Sequence, residues 1–209
     1  MQVNTLKGIK GRALAGLRAE PLKDTMEDIS LHILDLAENS YNAGADRIGI
    51  TLIKDDRLRT LEVEIIDNGK GMDDEALRRC VDPFYTTQKK GFGLGIAFFM
   101  QSAYESEGEF KISSELGKGT RIWGRFRLDH IDCKPIGDIA ETIATLLFSR
   151  TDVDIVLKMI NGDFKYEFDT MTIKKEIEPV PINQIDVIKL IKGDIIEGQS
   201  EFLKGIKGE

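Results

Sequence analysis

Three polar side chains recur along one amphipathic segment, at a spacing that could serve a metal ion. In LHILDLAENSYN, Asp35, Asn39 and Asn42 are separated by four and then three residues. A helix places these three groups on one stripe. The rest of its buried surface is predicted to come from Ile33, Leu36, Ala37 and Ser40. An amide oxygen suits Mg²⁺, and a carboxylate one turn away can orient or deprotonate a water. The alternative is a solvated helix face with an Asn-rich end.

A second group directly follows a predicted strand, in the segment IIDNGKGMDD. Asp67 stands at the strand end in apolar surroundings, where a carboxylate can accept a hydrogen bond from an exocyclic amine. Gly69 and Gly71 let the backbone turn sharply and approach a flat ligand. Asp-Asn-Gly is also ordinary turn chemistry. The segment alone therefore leaves a base-binding loop and a plain turn both open.

Alternating glycines lead into a later helix, in DPFYTTQKKGFGLGIAFF. Gly91, Gly93 and Gly95 precede or open this helix, whose first N–H groups and dipole can bind phosphate. Lys89 and Lys90 add positive charge at the same place. The spacing is GxGxG, so it is neither a dinucleotide fingerprint nor a Walker A loop. A flexible glycine loop is the alternative here, and a plain hairpin turn is the alternative for the later GKGT segment.

The elements around these groups are predicted as a helix, two strands, a helix, a loop, a helix and two strands. The first helix is expected from residue 26 to 42–44, with Thr25 and Asp28 as a T-x-x-D start. Strands are predicted at 47–53, 61–66, 109–114 and 120–128, and helices at 73–80 and 94–105. Such grouping favours an α+β fold, an antiparallel or mixed sheet covered on one face by helices, over a parallel Rossmann topology.

Residues 131–209 are predicted to form a C-terminal α-β-β-α extension. A helix is expected at 135–149, a hairpin at 153–177 around an Asn-Gly turn, and a last helix at 182–192 after Pro179 and Pro181. This part could extend the sheet or form a small partner-binding lobe. Residues 1–24 carry five basic and two acidic side chains and are predicted to be a flexible basic leader.

Composition excludes several classes of protein. The 209 residues are 41% hydrophobic and 31% charged, as in ordinary globular chains, and the net charge of −7 disfavours nucleic-acid binding. No apolar run approaches the roughly 20 residues that cross a bilayer, and no signal peptide is recognisable. Cys80 and Cys133 stand too far apart for a metal knuckle. A cytoplasmic location is expected.

The four segments together resemble one family. ENSYNAGAD, DNGKGM, PFYTT-x-KKGFGLG and GKGT resemble, in this order, the N, G1, lid with G2, and G3 boxes of the GHKL ATP-binding superfamily of gyrase, MutL and sensor histidine kinases. The resemblance covers roughly residues 26–128; the first box looks most like MutL and the lid most like histidine kinases. It implies a Bergerat-type two-layer α/β sandwich, with the ATP-binding domain at residues 25–130.

The resemblance also implies roles for individual residues. Asn39 would hold Mg²⁺ bridging the phosphates of ATP, and Asp67 would read the adenine amine, with Thr120 nearby. Which of Lys89 and Lys90 reaches a terminal phosphate stays open. The full set of implied nucleotide-binding residues is Asn39, Asn42, Asp67, Gly69, Gly71, Met72, Thr86, Thr87, Lys89, Lys90, Gly91, Gly93, Leu94, Gly95 and Thr120.

The catalytic position departs from the family pattern. Hydrolysing members have a Glu one helical turn before the magnesium Asn, and histidine kinases usually have Asn there; here the residue is Asp35. Glu38 lies about 100° around the helix and is expected to be a supporting or surface group. The only histidines are His32 and His130. Neither lies in a phosphoacceptor helix, so both are predicted to be structural or surface residues.

These features predict a Mg-ATP-binding protein that hydrolyses ATP as a conformational switch or transfers phosphate to a partner protein. One alternative is a kinase acting in trans, similar to anti-sigma-factor serine kinases or to a histidine kinase without its own acceptor domain. The other is a non-hydrolysing, ATP-responsive regulatory module. Dimerisation is compatible with the sequence, and no membrane partner is expected.

Overall fold

The computed structural model describes residues 28–81 and 94–204. These residues form six helices and six strands. In chain order the elements are α1 (Ile29–Asn42), β1 (Arg47–Asp55), β2 (Thr60–Asp67), α2 (Asp74–Arg79), α3 (Gly95–Glu105), β3 (Glu109–Glu115), β4 (Gly119–Arg127), α4 (Ile139–Ser149), β5 (Asp154–Asn161), β6 (Phe164–Asp169), α5 (Thr170–Glu176) and α6 (Ile185–Leu203).

The six strands form one mixed sheet in the order β3-β4-β2-β1-β5-β6. All neighbours are antiparallel except β1 and β5, which run parallel. Alternate residues of β1 and β2 are buried, as expected for a sheet with one covered face. Helices α1, α3 and α6 pack on the sheet, and α4 packs against α1 and α6. The α+β fold predicted from the sequence is confirmed.

Helix α1 begins later than the sequence predicts. It starts at Ile29, and its N-cap is Asp28, whose Oδ1 accepts a hydrogen bond from the Leu31 N–H at 3.0 Å. The predicted start at 26, with Thr25 as the capping residue, is therefore wrong, because Asp28 provides the cap itself. The predicted end is confirmed, since the helix stops at Asn42 and Gly44 has a positive φ of 79°.

The C-terminal part continues the same sheet. Strand β5 lies beside β1, and the predicted hairpin is present as β5 and β6 with Gly162 at a positive φ of 58° in the turn. The second strand is shorter than predicted. It ends at Asp169, whose side chain caps α5 by accepting from the Met171 N–H at 2.8 Å. A strong N-cap thus turns residues 170–176 into a helix, although Thr170, Thr172 and Ile173 favour strands.

None of the helices within the described ranges is long and apolar enough to cross a bilayer.

Candidate functional site

Asp67 is a buried carboxylate at the last position of β2. It is 7% exposed, and its Oδ1 accepts hydrogen bonds from the N–H groups of Gly69 at 2.9 Å and Thr120 at 3.2 Å. Its Oδ2 accepts from the Ser40 hydroxyl at 2.9 Å. Thr120 reaches this position because it pairs with Asp67 in the β2–β4 ladder. Donors from α1, from the loop after β2 and from β4 therefore hold the carboxylate in one orientation.

Asp67 lies in a cleft between α1, the loop after β2 and the start of β4. Six residues predicted from the sequence line it together: Asn39, Asn42, Asp67, Gly71, Met72 and Thr120. The cleft is completed by Leu36, Ser40, Ala43, Lys70, Ile96 and Ile122. Its walls are thus mainly apolar, with a single fixed carboxylate and a few amide and hydroxyl groups. This composition is typical of a pocket for a small molecule with apolar and polar parts.

Ser40 and Lys70 are cleft residues that the sequence did not single out. The sequence places Ser40 on the buried face of α1, and it is buried, but its hydroxyl faces Asp67. A serine at a position otherwise reserved for apolar residues was the available signal, because a buried hydroxyl requires a hydrogen-bond partner. Lys70 lies between the two glycines of the DNGKGM segment, where nothing distinguishes it from a solvated turn residue.

Packing of the protein itself restricts the two glycine positions after β2. A Cβ on Gly71, which has a φ of 64°, would lie 2.0 Å from the carbonyl oxygen of Glu115, and a Cβ on Gly69 would lie 3.0 Å from that of Ala43. This packing constraint acts independently of the predicted one, close approach of the backbone to a flat ligand. The loop is pressed between the end of α1 and the β3–β4 hairpin, so a side chain is excluded at Gly71 and crowded at Gly69.

Ser114 on β3 joins this loop to the hairpin. Its Oγ accepts from the Met72 N–H at 2.8 Å, donates to the Gly119 carbonyl oxygen at 2.8 Å, and lies 3.0 Å from Thr120 Oγ1. The loop and β4 form two walls of the cleft, so one hydroxyl sets their separation. Nothing in the sequence around Ser114 marks it as a site residue.

Asp35, a residue of α1, lies beside the cleft and contacts the N-terminus of α3. Its Oδ2 accepts from the Asn39 Nδ2 at 3.4 Å, and a Cβ on Gly95 would lie only 1.4 Å from the same oxygen. Burial raises the pKa of Asp35, an effect that the Asn39 hydrogen bond opposes and the Glu38 charge reinforces. The first N–H groups of α3 receive no side-chain cap from Leu94. Asp35, Asn39 and the start of α3 thus lie together.

Glu38 points away from this group. It forms an ion pair with Arg150 at 2.7 Å, and the Arg150 guanidinium lies 3.9 Å from the centre of the Tyr41 ring. His32 is fully buried, edge-on to Phe99, and its Nε2 lies 3.4 Å from the Lys134 Nζ. Both observations agree with the expectation that Glu38 is a supporting group and His32 a structural one.

Several predicted lid residues lie outside the described residues. They are Thr86, Thr87, Lys89, Lys90, Gly91 and Gly93, and the basic leader of residues 1–24 also lies outside.

Residues 26–130 match the family described as "Histidine kinase-, DNA gyrase B-, and HSP90-like ATPase". This segment is just over half of the chain, and the chain belongs to that family. It contains a GHKL ATPase domain similar to those of sensor histidine kinases, and membership of the family supports ATP binding.

Relatives resemble this chain over a limited part of their length. A putative sensor protein of Shewanella frigidimarina is 38% identical over 93 residues, 43% of this chain and 14% of its own. Sporulation kinase D of Bacillus subtilis is 29% identical over 108 residues, 51% of this chain and 21% of its own. The matched part is therefore about a fifth or less of these relatives. The solved structure of the Aquifex aeolicus MutL ATPase domain complexed with ADP aligns with 67% of this chain and 63% of its own, at 16% identity and a TM-score of 0.42.

Proposed function

We propose that the chain binds Mg-ATP in this cleft and transfers the terminal phosphoryl group to a hydroxyl nucleophile. That nucleophile is water, in an ATPase that acts as a conformational switch, or a hydroxyl group on a partner protein. Adenine would lie against Asp67, and the phosphates would lie near Asn39, the start of α3 and the lid lysines Lys89 and Lys90.

The cleft residues fit an adenine ring. Leu36, Met72 and Ile122 offer apolar surface for its faces. Asp67 Oδ2 accepts one protein hydrogen bond and has a further lone pair, whereas Oδ1 already accepts two. An exocyclic amine donating to Oδ2 would complete the carboxylate's hydrogen bonds, which supports the predicted role of Asp67.

Asn39 suits a magnesium ion. Its amide nitrogen donates to Asp35, which leaves the amide oxygen as the outward acceptor, and oxygen is the ligand that Mg²⁺ prefers. The ion would neutralise charge on the phosphates, the largest contribution usually made in phosphoryl transfer. Asn39 would hold it, and Asn42 lies one turn farther along the same side of α1.

The position of Asp35 is the observation that favours a hydroxyl nucleophile. A hydroxyl or water must lose a proton as it attacks phosphorus, whereas a neutral imidazole can attack through its lone pair. Asp35 is a carboxylate in contact with Asn39 and with the first residue of α3. A buried carboxylate with a raised pKa is suited to accepting a proton. This favours an ATPase or a serine-type kinase over a histidine kinase acting in trans.

The test is a comparison of binding and turnover with γ-labelled ATP and magnesium. Asp35→Asn should keep ATP affinity within about threefold and lower phosphate release by about a hundredfold, the usual loss on removing a general base. Asp152→Asn, on an exposed turn, is the control and should match the wild type. Turnover that survives Asp35→Asn would contradict the proposed base.

The fate of the label separates the alternatives. Free phosphate, or acid-stable label on a protein partner, supports a hydroxyl nucleophile. Acid-labile label on a partner's histidine would instead support the histidine kinase, and tight binding without turnover would support a regulatory module.

A further inference from the structure

Residues C-terminal to the family match, which ends at residue 130, contact the N-terminus of helix α1. The first two N–H groups of α1, those of Ile29 and Ser30, donate to the carbonyl oxygens of Pro135 and Ile136, each at 2.9 Å. The Thr142 hydroxyl donates to the Ser30 carbonyl oxygen at 3.1 Å. Initial N–H groups of a helix have no partners within the helix. Residues 135–142 therefore anchor the start of α1.

Arg150 contacts the same helix near its end. It is the C-cap residue of α4, and its guanidinium bonds Glu38 at 2.7 Å while lying over the Tyr41 ring at 3.9 Å. The side chains of Arg150 and Glu38 are 30% and 29% exposed, so the pair is largely shielded from water. Arginine is well suited to such a site, because its planar group can pair with a carboxylate and stack on an aromatic ring together.

The proposed magnesium and base residues lie on the helix between these two anchors. Asn39 follows Glu38 directly, and Asp35 lies one turn before it. Because α1 behaves as a rigid rod over so few turns, a rotation that moved Glu38 would also move Asn39 relative to Asp67 and α3. Loss of Arg150 would remove both the ion pair to Glu38 and the stacking on Tyr41, so the C-terminal half of α1 would lose this attachment to α4.

We propose that Arg150 is a positioning residue for the nucleotide site, acting through Glu38 and Tyr41 on the orientation of α1. This proposal rests on the proposed function, since it takes Asn39 and Asp35 as the groups to be positioned. It also assigns a role to the C-terminal part of the chain: α4 holds the nucleotide-binding helix in place.

The experiment compares Arg150→Ala with a matched control in the full chain. Arg150→Ala should weaken Mg-ATP binding and lower turnover, each by about tenfold, as small displacements of catalytic groups do. The control is Lys174→Ala, which removes an ion pair to Asp154 of similar length, 2.8 Å, and exposure, 30% and 23%, but without contact to α1. Lys174→Ala should lower the melting temperature about as much as Arg150→Ala does, and it should leave ATP affinity unchanged.

A charge exchange makes the test specific. Glu38→Arg with Arg150→Glu restores the ion pair but not the stacking on Tyr41, so it should recover part of the affinity that either single variant loses. If Arg150→Ala does not fold, Glu38→Gln removes the same ion pair and is judged by the same comparison.

The two proposals fail in different ways. A wild-type protein that binds no ATP overturns the proposed function. A wild-type protein that binds ATP, with Arg150→Ala or Glu38→Gln binding it as tightly as Lys174→Ala does, overturns the positioning role of Arg150.

Discussion

The side chain of Asp35 packs directly on the backbone of Gly95, and no Cβ fits between them. A Cβ on Gly95 would lie 1.4 Å from Asp35 Oδ2. Gly95→Ala must therefore push the carboxylate away from Asn39 or push the start of α3 away from α1. We expect ATP turnover to fall by at least about tenfold, because either shift would change the position of the Asp35 carboxylate relative to Asn39 or to the start of α3. Steady-state phosphate release measures this effect.

Gly193→Ala is the matched control for that substitution. Gly193 lies within α6 and has no atom within 4 Å of an added Cβ. Alanine there should stabilise the protein by about 0.5–1 kcal/mol through helix propensity alone, with turnover unchanged. If Gly95→Ala behaves like Gly193→Ala in both measurements, the contact with Asp35 has no consequence for activity.

Asp67→Asn should weaken ATP binding without unfolding the protein. The amide oxygen can still accept from Gly69 and Thr120, and the amide nitrogen can donate to the Ser40 hydroxyl in place of accepting from it. A charged acceptor for adenine is lost, so affinity should fall by about 10- to 100-fold. Titration calorimetry and a melting curve without nucleotide provide the two measurements. Asp138→Asn, at an N-cap where Asn serves equally well, is the control; retained affinity in Asp67→Asn would refute the adenine assignment.

Ser114→Ala should lower the free energy of unfolding by about 1–3 kcal/mol. It leaves the Met72 N–H without its acceptor, and Met72 is only 7% exposed. The neighbouring Ser113 is exposed on the other face of β3, so Ser113→Ala should change stability by less than about 0.5 kcal/mol. Urea unfolding of both variants tests the difference. Equal stabilities would mean that the Ser114 hydroxyl does not hold the two walls of the cleft together.

His32 should make the protein less stable as the pH falls. Burial lowers its pKa from 6.5 to about 4, against the opposing charges of Asp28 and Glu105. Between these two values the unfolded chain binds the proton and the folded chain does not, so acid favours unfolding. The loss should reach about 2 kcal/mol between about pH 7 and pH 5.

Substitution of His32 isolates this contribution. In His32→Leu the loss of unfolding free energy on going from neutral to acid pH should be smaller by that amount. An unchanged slope in His32→Leu would show that His32 has the same pKa in the folded and the unfolded protein.

Local features of the site were predictable because they depend on neighbours in the chain. The spacing of Asp35, Asn39 and Asn42 predicted one helical stripe, and Asn39 and Asn42 do line one cleft. Asp67 was predicted at a strand end and lies there, buried. The capping error at α1 had a local cause as well, since Thr25 and Asp28 are both good N-cap residues and only the folded chain selects Asp28.

Contacts between segments far apart in the chain could not be predicted from the sequence. The hydroxyl of Ser40 meets Asp67 across 27 residues, and Arg150 meets Glu38 across 112. Nothing in the sequence pairs β5 with β1, whose parallel contact makes the C-terminal hairpin part of the sheet. Periodicity states which face of an element is buried, but several partners can cover that face equally well.

The sequence by itself determined the chemistry available to this protein: a carboxylate and amides on one helix, a carboxylate after a strand, and glycines where the backbone must turn. Only the tertiary structure decided how these groups are held. Three donors orient Asp67, Ser114 sets the separation of the cleft walls, and α4 anchors the helix that carries Asp35 and Asn39. The physical reason is that side-chain types and local periodicity are properties of short segments. The relative position of the site residues depends instead on tertiary packing between segments that are far apart in the chain.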